Sequence, residues 1–435
     1  MIINKNKYLI LILLSLAIWP ITLPGLNQKS LFITLGLLIL AVIIPFYIFK
    51  YNNYHINKYI YMMILIILSL ITFRGIGFEI FGGGQYGGFL YLSVISPFLL
   101  ILYSQTIYIE PSVLKKWVIL IFSVMVILSL SQTLSSMSLF KLPDFIIEGR
   151  ETENYFSLDR DVGYSRIFYL SVVSSNLAFL VLYLRKKNTI EIKEIILFFI
   201  TLILAALSGH RGAIITILSV AFFAIIFSND EKNKKIYLLL RMLFVITISS
   251  LIFILVTNEI PEVVRRSLSF LPGIENLDAK GSSSWRLDVW DLAFRYEIPN
   301  FLLFGKGLAT SFSKSNLPFV LSDNETYISA IDNLNYHSGP ISITIGLGLP
   351  FFILIVLLHV KIVKLLLNSM KSVLIVRNSY FAVLVGSTSA IYFTQIFFYL
   401  FVYGDLTNAF IRVHFFAALA ILIMNYKNNI GTSDA

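Results

Sequence analysis

The stretch IKEIILFFITLILAALSGHRGAIITILSVAFFAIIFS (192–228) decides the fold of this chain. It is nearly all apolar, and only SGHRG (208–212) interrupts it. As a single helix it would be far longer than the ~20 residues that cross a bilayer. Glycines beside polar residues typically punctuate a helical pattern. The stretch therefore predicts two membrane helices, 192–208 and 211–228, joined by a tight turn.

The composition of the whole chain extends this interpretation. Of the 435 residues, 57% are hydrophobic and 13% are charged, whereas soluble domains carry about a quarter charged residues. We therefore predict an all-α, polytopic membrane protein with about twelve transmembrane helices and a large outer loop that carries short helices. The other predicted spans are 8–25, 30–49, 59–73, 88–104, 114–134, 163–184, 240–257, 338–359, 378–401 and 408–426.

Lysine and arginine are concentrated in alternate loops, as at 185–187 and 232–235, which places those loops and both termini in the cytoplasm. The first helix has no small-residue cleavage site after it and is expected to stay uncleaved. We divide the chain into transmembrane helices 1–9 (1–257), a large outer loop (258–337), and transmembrane helices 10–12 with a cytoplasmic tail (338–435).

Several function classes are disfavoured. The net charge is +10, but the basic residues form no stripe, so no nucleic-acid partner is expected. The chain has no cysteine, which excludes disulfides, thiolate metal sites and a cysteine nucleophile. GKG (305–307) is not followed by Ser or Thr and is no phosphate-binding P-loop. No cofactor and no metal site are expected, although the loop acids leave a metal as a weak alternative. Those acids are Asp323, Glu325 and Asp332.

Three residues on the predicted outer side are candidates for chemistry. Arg211 lies at the mouth of the helical hairpin, where an arginine needs a partner or a wet cavity. Arg286 and Trp290 are four residues apart and share a face if Ser282–Ser284 cap a helix there. His337 lies where the outer loop returns to the membrane and can act as a base near neutral pH.

Each candidate also has a structural alternative. Arg211 can reach lipid phosphates from the interface, Arg286 and Trp290 can belong to a helix that rests on the membrane surface, and His337 can bind backbone at a helix start. Together, however, several guanidinium groups around one cavity suit a diphosphate leaving group. Further arginines near outer helix ends, which alone suit structural roles, are Arg74, Arg166 and Arg412.

The order of these motifs resembles that of the bacterial O-antigen ligase/polymerase superfamily, which includes Wzy-type polymerases and WaaL-type ligases. The resemblance lies in LSGHRGA (207–213), in S-x-R-x-x-x-W at 284–290, in the G-x-G at 305–307 and in His337. One departure is Ser338, where many members carry Asn after the histidine.

The resemblance implies a GT-C-like, metal-independent glycosyltransferase of the bacterial inner membrane whose active site faces the periplasm. Its donor would be an undecaprenyl-diphosphate-linked oligosaccharide, in lipopolysaccharide or other polysaccharide biosynthesis, and its partners would be membrane lipids and a chain-length-regulating membrane protein. Arg211 and Arg286 would hold the diphosphate, and His337 would accept the proton of the attacking hydroxyl or orient it. Further substrate contacts are expected from Arg74, Arg166, Trp290, Gly305, Gly307 and Arg412.

Two activities of that superfamily fit. An O-antigen polymerase transfers a glycan to the sugar of another lipid-linked repeat unit, whereas a ligase transfers it to lipid A-core, and we favour the polymerase. A lipid-linked oligosaccharide flippase would use the same arginines. Carriers commonly show inverted repeats and broken helices, which the sequence does not display.

Overall fold

The computed structural model describes residues 11, 57–75, 87–105, 107–136, 158–159, 163–164, 167–255, 261–271, 273–308, 334–373, 379–406 and 408–430. The predicted span 30–49 and most of 8–25 lie outside these residues, as do Asp323, Glu325 and Asp332. The division of the chain into three regions stays a prediction.

This part of the chain is almost entirely helical, as the composition predicts. Its first helices are α1 (Lys58–Gly75), α2 (Gly87–Ser104), α3 (Pro111–Ser136), α4 (Phe168–Leu184), α5 (Ile192–Leu207), α6 (Arg211–Ile226) and α7 (Lys232–Leu255). They are followed by α8 (Glu262–Ser267), α9 (Leu277–Leu292), a π-helical turn (Ala293–Glu297), α10 (Ile298–Phe301), α11 (Gly339–Leu347), α12 (Leu349–Val373), α13 (Ser379–Phe401) and α14 (Asn408–Ile430). Before α4, two short strands pair antiparallel, β1 (Leu158–Asp159) with β2 (Gly163–Tyr164).

Three of the described helices are long and apolar enough to cross a membrane, over Pro111–Leu134, Leu349–Met370 and Tyr380–Phe401. Shorter apolar helices accompany them, and the outer faces of α5 and α7 expose large apolar side chains such as Phe199 and Phe244. Exposed apolar surface of this extent is typical of contact with lipid. The protein is therefore a membrane protein; the predicted total of twelve spans is not established by these helices.

Helix α13 lies at the centre of the bundle. Its apolar segment is 78% buried, against 33% for the corresponding segments of α3 and α12. It packs on α3, α4, α6, α12 and α14, and it also contacts α11. Because so many helices pack on α13, its C-terminal end is a common meeting point for residues that are distant in sequence.

The predicted hairpin at 192–228 is confirmed. Helix α5 ends at Leu207, and Gly209 follows at φ +75°, a backbone conformation that favours glycine. The carbonyls of the turn have partners elsewhere in the chain. Ile167 N donates to Ser208 O at 2.8 Å, and Arg266 Nε donates to Gly209 O at 3.1 Å. The SGHRG turn is thus fixed from both sides by α4 and α8.

The predicted single helix over 338–359 is wrong at one position. Gly348 interrupts it at φ +94° and separates α11 from α12. The segment that follows α10 docks at this break, where Leu349 N donates to Leu302 O at 2.7 Å. A Cβ at position 348 would stand 2.4 Å from Leu303 O, so only glycine fits this approach. The break therefore joins the start of α12 to the segment after α10.

Candidate anion-binding site

A cavity of about 490 Å³ lies where the hairpin turn meets α4, α9 and the end of α13. Four arginines line it, each from a different segment: Arg211 of α6, Arg266 of α8, Arg286 of α9 and Arg412 of α14. Among the described residues of its lining, none is acidic. The remaining polar and aromatic lining includes Phe168, Ser171, Ser175, Asn176, His210, Thr216, Phe270, Ser282, Ser283, Phe398 and Tyr403.

Two of the arginines are anchored by hydrogen bonds. Arg211 Nη1 donates to Ser283 Oγ at 3.0 Å, which links the start of α6 to the middle of α9. Arg266 is buried, and its bond to Gly209 O holds α8 against the hairpin turn. The two guanidinium groups are therefore held at the cavity by contacts between segments, which limits their rotamer freedom before any ligand arrives.

The first turn of α6 adds to the positive potential. Gly209, His210, Arg211, Gly212 and Ala213 all line the cavity, and α6 begins at Arg211. The N-terminal end of a helix carries a partial positive charge and attracts anions. At Gly212 a Cβ would come within 3.3 Å of the Phe398 ring, so the small residue lets α6 pack closely on α13.

Helix α9 carries Arg286 into the cavity. It begins earlier in the sequence than a helix capped by Ser282–Ser284 would. The helix starts at Leu277 and is capped by Asn276, whose side chain accepts from Ala279 N at 2.8 Å. The prediction that Ser282–Ser284 cap the helix is therefore wrong, because these serines lie inside it. Ser283 instead donates to Ala279 O and accepts from Arg211.

His337 lies directly behind the wall of the cavity and is not among its lining residues. Its ring contacts Trp285 and Tyr403 edge-on, with centroids 5.2 Å and 4.8 Å apart. Burial, and then the positive charge of Arg286, lower the pKa of His337 to about 4. The imidazole is therefore neutral near pH 7. Among the described residues, its buried Nδ1 has no hydrogen-bond partner.

The other predicted site residues are divided between the cavity and its surroundings. Trp290 follows Arg286 on α9 and donates from Nε1 to Tyr336 O at 2.7 Å, outside the cavity lining. Gly305 and Gly307 lie against α11, where Gly307 N donates to Gly346 O at 3.0 Å. Their substrate contacts stay predictions. Arg74 lies in the last turn of α1, its side chain is not described, and Arg166 lies outside the described residues.

The sequence interpretation missed Arg266 and Asn176. Arg266 is part of RRS (265–267) at the end of the short helix α8, a sequence that is also typical of interfacial basic residues. Only a tertiary contact distinguishes it, the hydrogen bond from its Nε to the Gly209 carbonyl. Asn176 is buried in α4 and lines the cavity, and its Nδ2 has no hydrogen-bond partner among the described residues. An asparagine in the apolar pattern of a membrane helix is a usable signal.

This combination of groups can bind a polyanion. Guanidinium groups stay charged and bind phosphate oxygens in pairs. No acid is among the described lining residues, and the nearby carboxylate of Asp405 attracts Arg412 from outside that lining. Within the described ranges, no group of three or more His, Asp and Glu side chains could hold a metal ion. Fold and site together define a helical membrane protein with an arginine-lined cavity.

Comparison with known families specifies this class further. Residues 196–356 match the model of a family described as O-antigen ligase. The matched segment contains Arg211, Arg266, Arg286 and His337, and Arg412 lies beyond it. The resemblance to the O-antigen ligase/polymerase superfamily is thereby confirmed, and the match indicates a glycosyltransferase-like enzyme activity in general terms. Among curated proteins, none matches the chain.

Proposed function

We propose that this protein transfers a glycan from an undecaprenyl-diphosphate carrier to the sugar of another lipid-linked repeat unit, as a polysaccharide polymerase. The observation that carries the proposal is the convergence of Arg211, Arg266, Arg286 and Arg412 on one cavity whose described lining contains no acidic residue. The active site would face the periplasm of the inner membrane, and both termini would lie in the cytoplasm. A chain-length-regulating membrane protein is a candidate partner.

In this proposal the arginines bind the donor diphosphate and stabilise its departure. As the bond between the anomeric carbon and the diphosphate oxygen breaks, negative charge grows on the leaving group. Arginines already placed around that group stabilise the transition state more than the ground state. The partial positive charge at the first turn of α6 stabilises the same negative charge on the leaving group. No metal ion is needed to neutralise this charge, and activity in the presence of a chelator would test that part of the proposal.

His337 is the proposed base. The attacking hydroxyl of the acceptor sugar forms the new bond to the anomeric carbon, and its proton passes to the neutral imidazole. A positioned base typically contributes 10²–10⁴-fold to such a step. The pKa of about 4 makes His337 a weak base in the empty site. A bound diphosphate would partly neutralise Arg286 and so raise the pKa of His337 when the proton has to be accepted.

The remaining predicted residues have supporting roles in this proposal. Arg74 and Arg166 would extend the anion site, and Trp290, Gly305 and Gly307 would contribute through the shape of the wall around His337. The segment 258–337 would supply Arg266 and Arg286 from outside the bilayer to a site that the hairpin completes from within it.

The ligase is the second candidate, because the matching family is described as O-antigen ligase. A ligase would transfer finished glycan to lipid A-core by the same chemistry, since only the acceptor differs. The arginines and His337 bind the donor and the reacting hydroxyl, so they support both activities equally. The choice between the two depends on the acceptor.

Deletion of the gene followed by a gel of cell-surface polysaccharide separates these candidates. Loss of a polymerase leaves single repeat units on the acceptor, whereas loss of a ligase leaves none. Purified protein should also transfer glycan from a lipid diphosphate, and Arg211→Ala or Arg286→Ala should lower kcat/KM on the order of 100-fold, as when one charge-stabilising donor is removed. Full activity of both arginine variants would contradict the diphosphate role.

A further inference from the structure

A buried polar cluster lies beside His337, outside the arginine cavity. Glu297 of the π-helical turn and Lys306 form an ion pair with an N–O distance of 3.2 Å, and each side chain is only 4% exposed. Tyr336 Oη donates to Glu297 Oε2 at 2.6 Å, and Lys306 Nζ lies 3.4 Å from the same hydroxyl. We call these three residues the Glu297 cluster.

Buried ion pairs are costly in a protein. Removing two charges from water is expensive, and apolar residues of similar size often stabilise a fold as well or better. Glu297 Oε1 has no hydrogen-bond partner among the described residues, so this pair is not fully compensated. Stabilisation of the fold therefore does not explain why an ion pair is buried here. A role in fixing a unique local geometry is better supported, because buried polar groups can specify conformation.

The cluster is connected to His337 through Tyr336, the preceding residue. The Tyr336 side chain is 1% exposed and is fixed at its hydroxyl by Glu297. Its backbone carbonyl accepts from Trp290 Nε1 at 2.7 Å. The next residue, His337, has φ +53°, a left-handed conformation that is unusual for a residue with a Cβ. A conformation of this kind persists only where its surroundings enforce it.

Lys306 is itself held in place by backbone contacts. Lys306 N donates to Ile345 O at 2.7 Å, and the neighbouring Gly307 N donates to Gly346 O. Gly305 has φ +67°, and a Cβ there would stand 2.5 Å from Gly346 O. The G-x-G motif therefore brings the lysine between α11 and the π-helical turn. Glu297, Lys306 and Tyr336 come from three separate segments that meet at this point.

We propose that the Glu297 cluster is a positioning device that holds His337 against Trp285 and Tyr403, and that Tyr336 transmits the constraint. This inference rests on the proposed function, in which His337 accepts a proton. The position of His337 depends on the hydrogen bond that Tyr336 Oη donates to an acceptor at position 297. Lys306 keeps that acceptor in place, and none of the three residues touches the substrate.

The most conservative test is Tyr336→Phe, which keeps the ring and the ion pair and removes only the hydroxyl. We expect kcat to fall 10- to 100-fold, as for a catalytic group displaced by about 1 Å, with KM little changed and the melting temperature lowered only as far as the loss of one buried hydrogen bond requires. The matched control is Tyr296→Phe, since Tyr296 lies in the same π-helical turn and is exposed. Wild-type kcat in Tyr336→Phe would overturn the proposal.

A pair of double variants tests the acceptor without an unpaired buried charge. Glu297→Gln with Lys306→Met keeps an oxygen that can accept from Tyr336, whereas Glu297→Leu with Lys306→Met does not. We expect the Gln variant to retain most of kcat and the Leu variant to lose as much as Tyr336→Phe. Hydrogen exchange of residues 334–338 should accelerate only in the Leu variant and in Tyr336→Phe. Equal kcat in the two double variants would overturn the proposal.

Failure of this inference is distinguishable from failure of the proposed function. His337→Ala, assayed in parallel, reports on the base itself. If His337→Ala is inactive while Tyr336→Phe and both double variants retain wild-type kcat, only the positioning role is wrong. If His337→Ala and the arginine variants retain full activity, the proposed function is wrong, and hydrogen exchange still reports whether the cluster orders residues 334–338.

Discussion

At the scale of single residues, the arginines of the cavity differ in how the protein anchors them. Arg211 donates from Nη1 to Ser283, whereas Arg266 donates from Nε to the Gly209 carbonyl. A guanidinium carries five N–H donors in a planar fork, so it can keep an anchor and still bind phosphate oxygens. Lysine has a single ammonium group and cannot do both with the same geometry. A change from arginine to lysine at either position is therefore not conservative.

The low pKa of His337 leads to a prediction about pH. With a pKa of about 4, the imidazole stays unprotonated as the pH falls through 6.5, so kcat/KM should decline only near pH 4. Burial is the larger cause of this low value, and the charge of Arg286 is the second. Arg286→Met should therefore raise the pKa and move the acid limb of kcat/KM to higher pH, in addition to lowering activity.

The control for this pH profile is Arg295→Met. Arg295 is exposed, pairs with Asp291 at 2.8 Å and is not among the residues that line the cavity. Its removal should leave the acid limb in place. If the wild-type profile instead turns near pH 6.5, or Arg286→Met leaves it unmoved, the account of His337 is wrong.

Residue patterns predicted the cavity only in part. Arg211 stands out because arginine is costly beside apolar helices, Arg286 because of its spacing from Trp290, and Arg412 because it lies near a predicted outer helix end. Arg266 does not stand out, because RRS (265–267) at the end of α8 has the appearance of an ordinary interfacial basic pair. Its role depends on the Gly209 carbonyl, 57 residues away in sequence, and a contact of this length has no local signature.

At the scale of elements, glycines decide where two helices end and how they meet. Gly348 separates α11 from α12 at φ +94°, and the chain after α10 docks there. The sequence predicts one helix across 338–359 because both halves are apolar, and a glycine inside an apolar run does not by itself define a break. The break becomes necessary only when Leu303 approaches position 348, which depends on the tertiary structure.

Two glycine-to-alanine substitutions test this explanation, because each adds the same methyl group in a different backbone environment. Gly348→Ala should destabilise the protein by about 1–3 kcal/mol, because alanine must adopt a left-handed conformation against Leu303 O. Gly281→Ala lies in α9 with open space around the new Cβ and should stabilise the protein by about 0.5–1 kcal/mol. Thermal melting in detergent measures both effects. Equal melting temperatures for the two variants would contradict this assignment.

At the scale of the whole molecule, the packing around α13 creates the cavity. Residues from α4, α6, α8, α9, α13 and α14 line it, and α13 is the helix on which α4, α6 and α14 all pack. Hydrophobic pattern locates the helices in the described part of the chain. It does not predict which helices pack together, because lipid tails are as apolar as the helix surfaces and every apolar face suits several partners.

The central claim is that the arginine cavity binds the donor diphosphate, and donor affinity tests it most directly. Titration of the purified protein with a lipid-diphosphate-linked glycan gives Kd for wild type, Arg211→Gln, Arg286→Gln and Arg265→Gln. Arg265 adjoins Arg266 in sequence but pairs with Glu262 and is not among the lining residues, so it is the matched control. We expect Kd to rise at least about tenfold in the first two variants, which corresponds to the loss of about 1.4 kcal/mol each, and to stay at the wild-type value in Arg265→Gln. Wild-type affinity in both Arg211→Gln and Arg286→Gln would contradict the account.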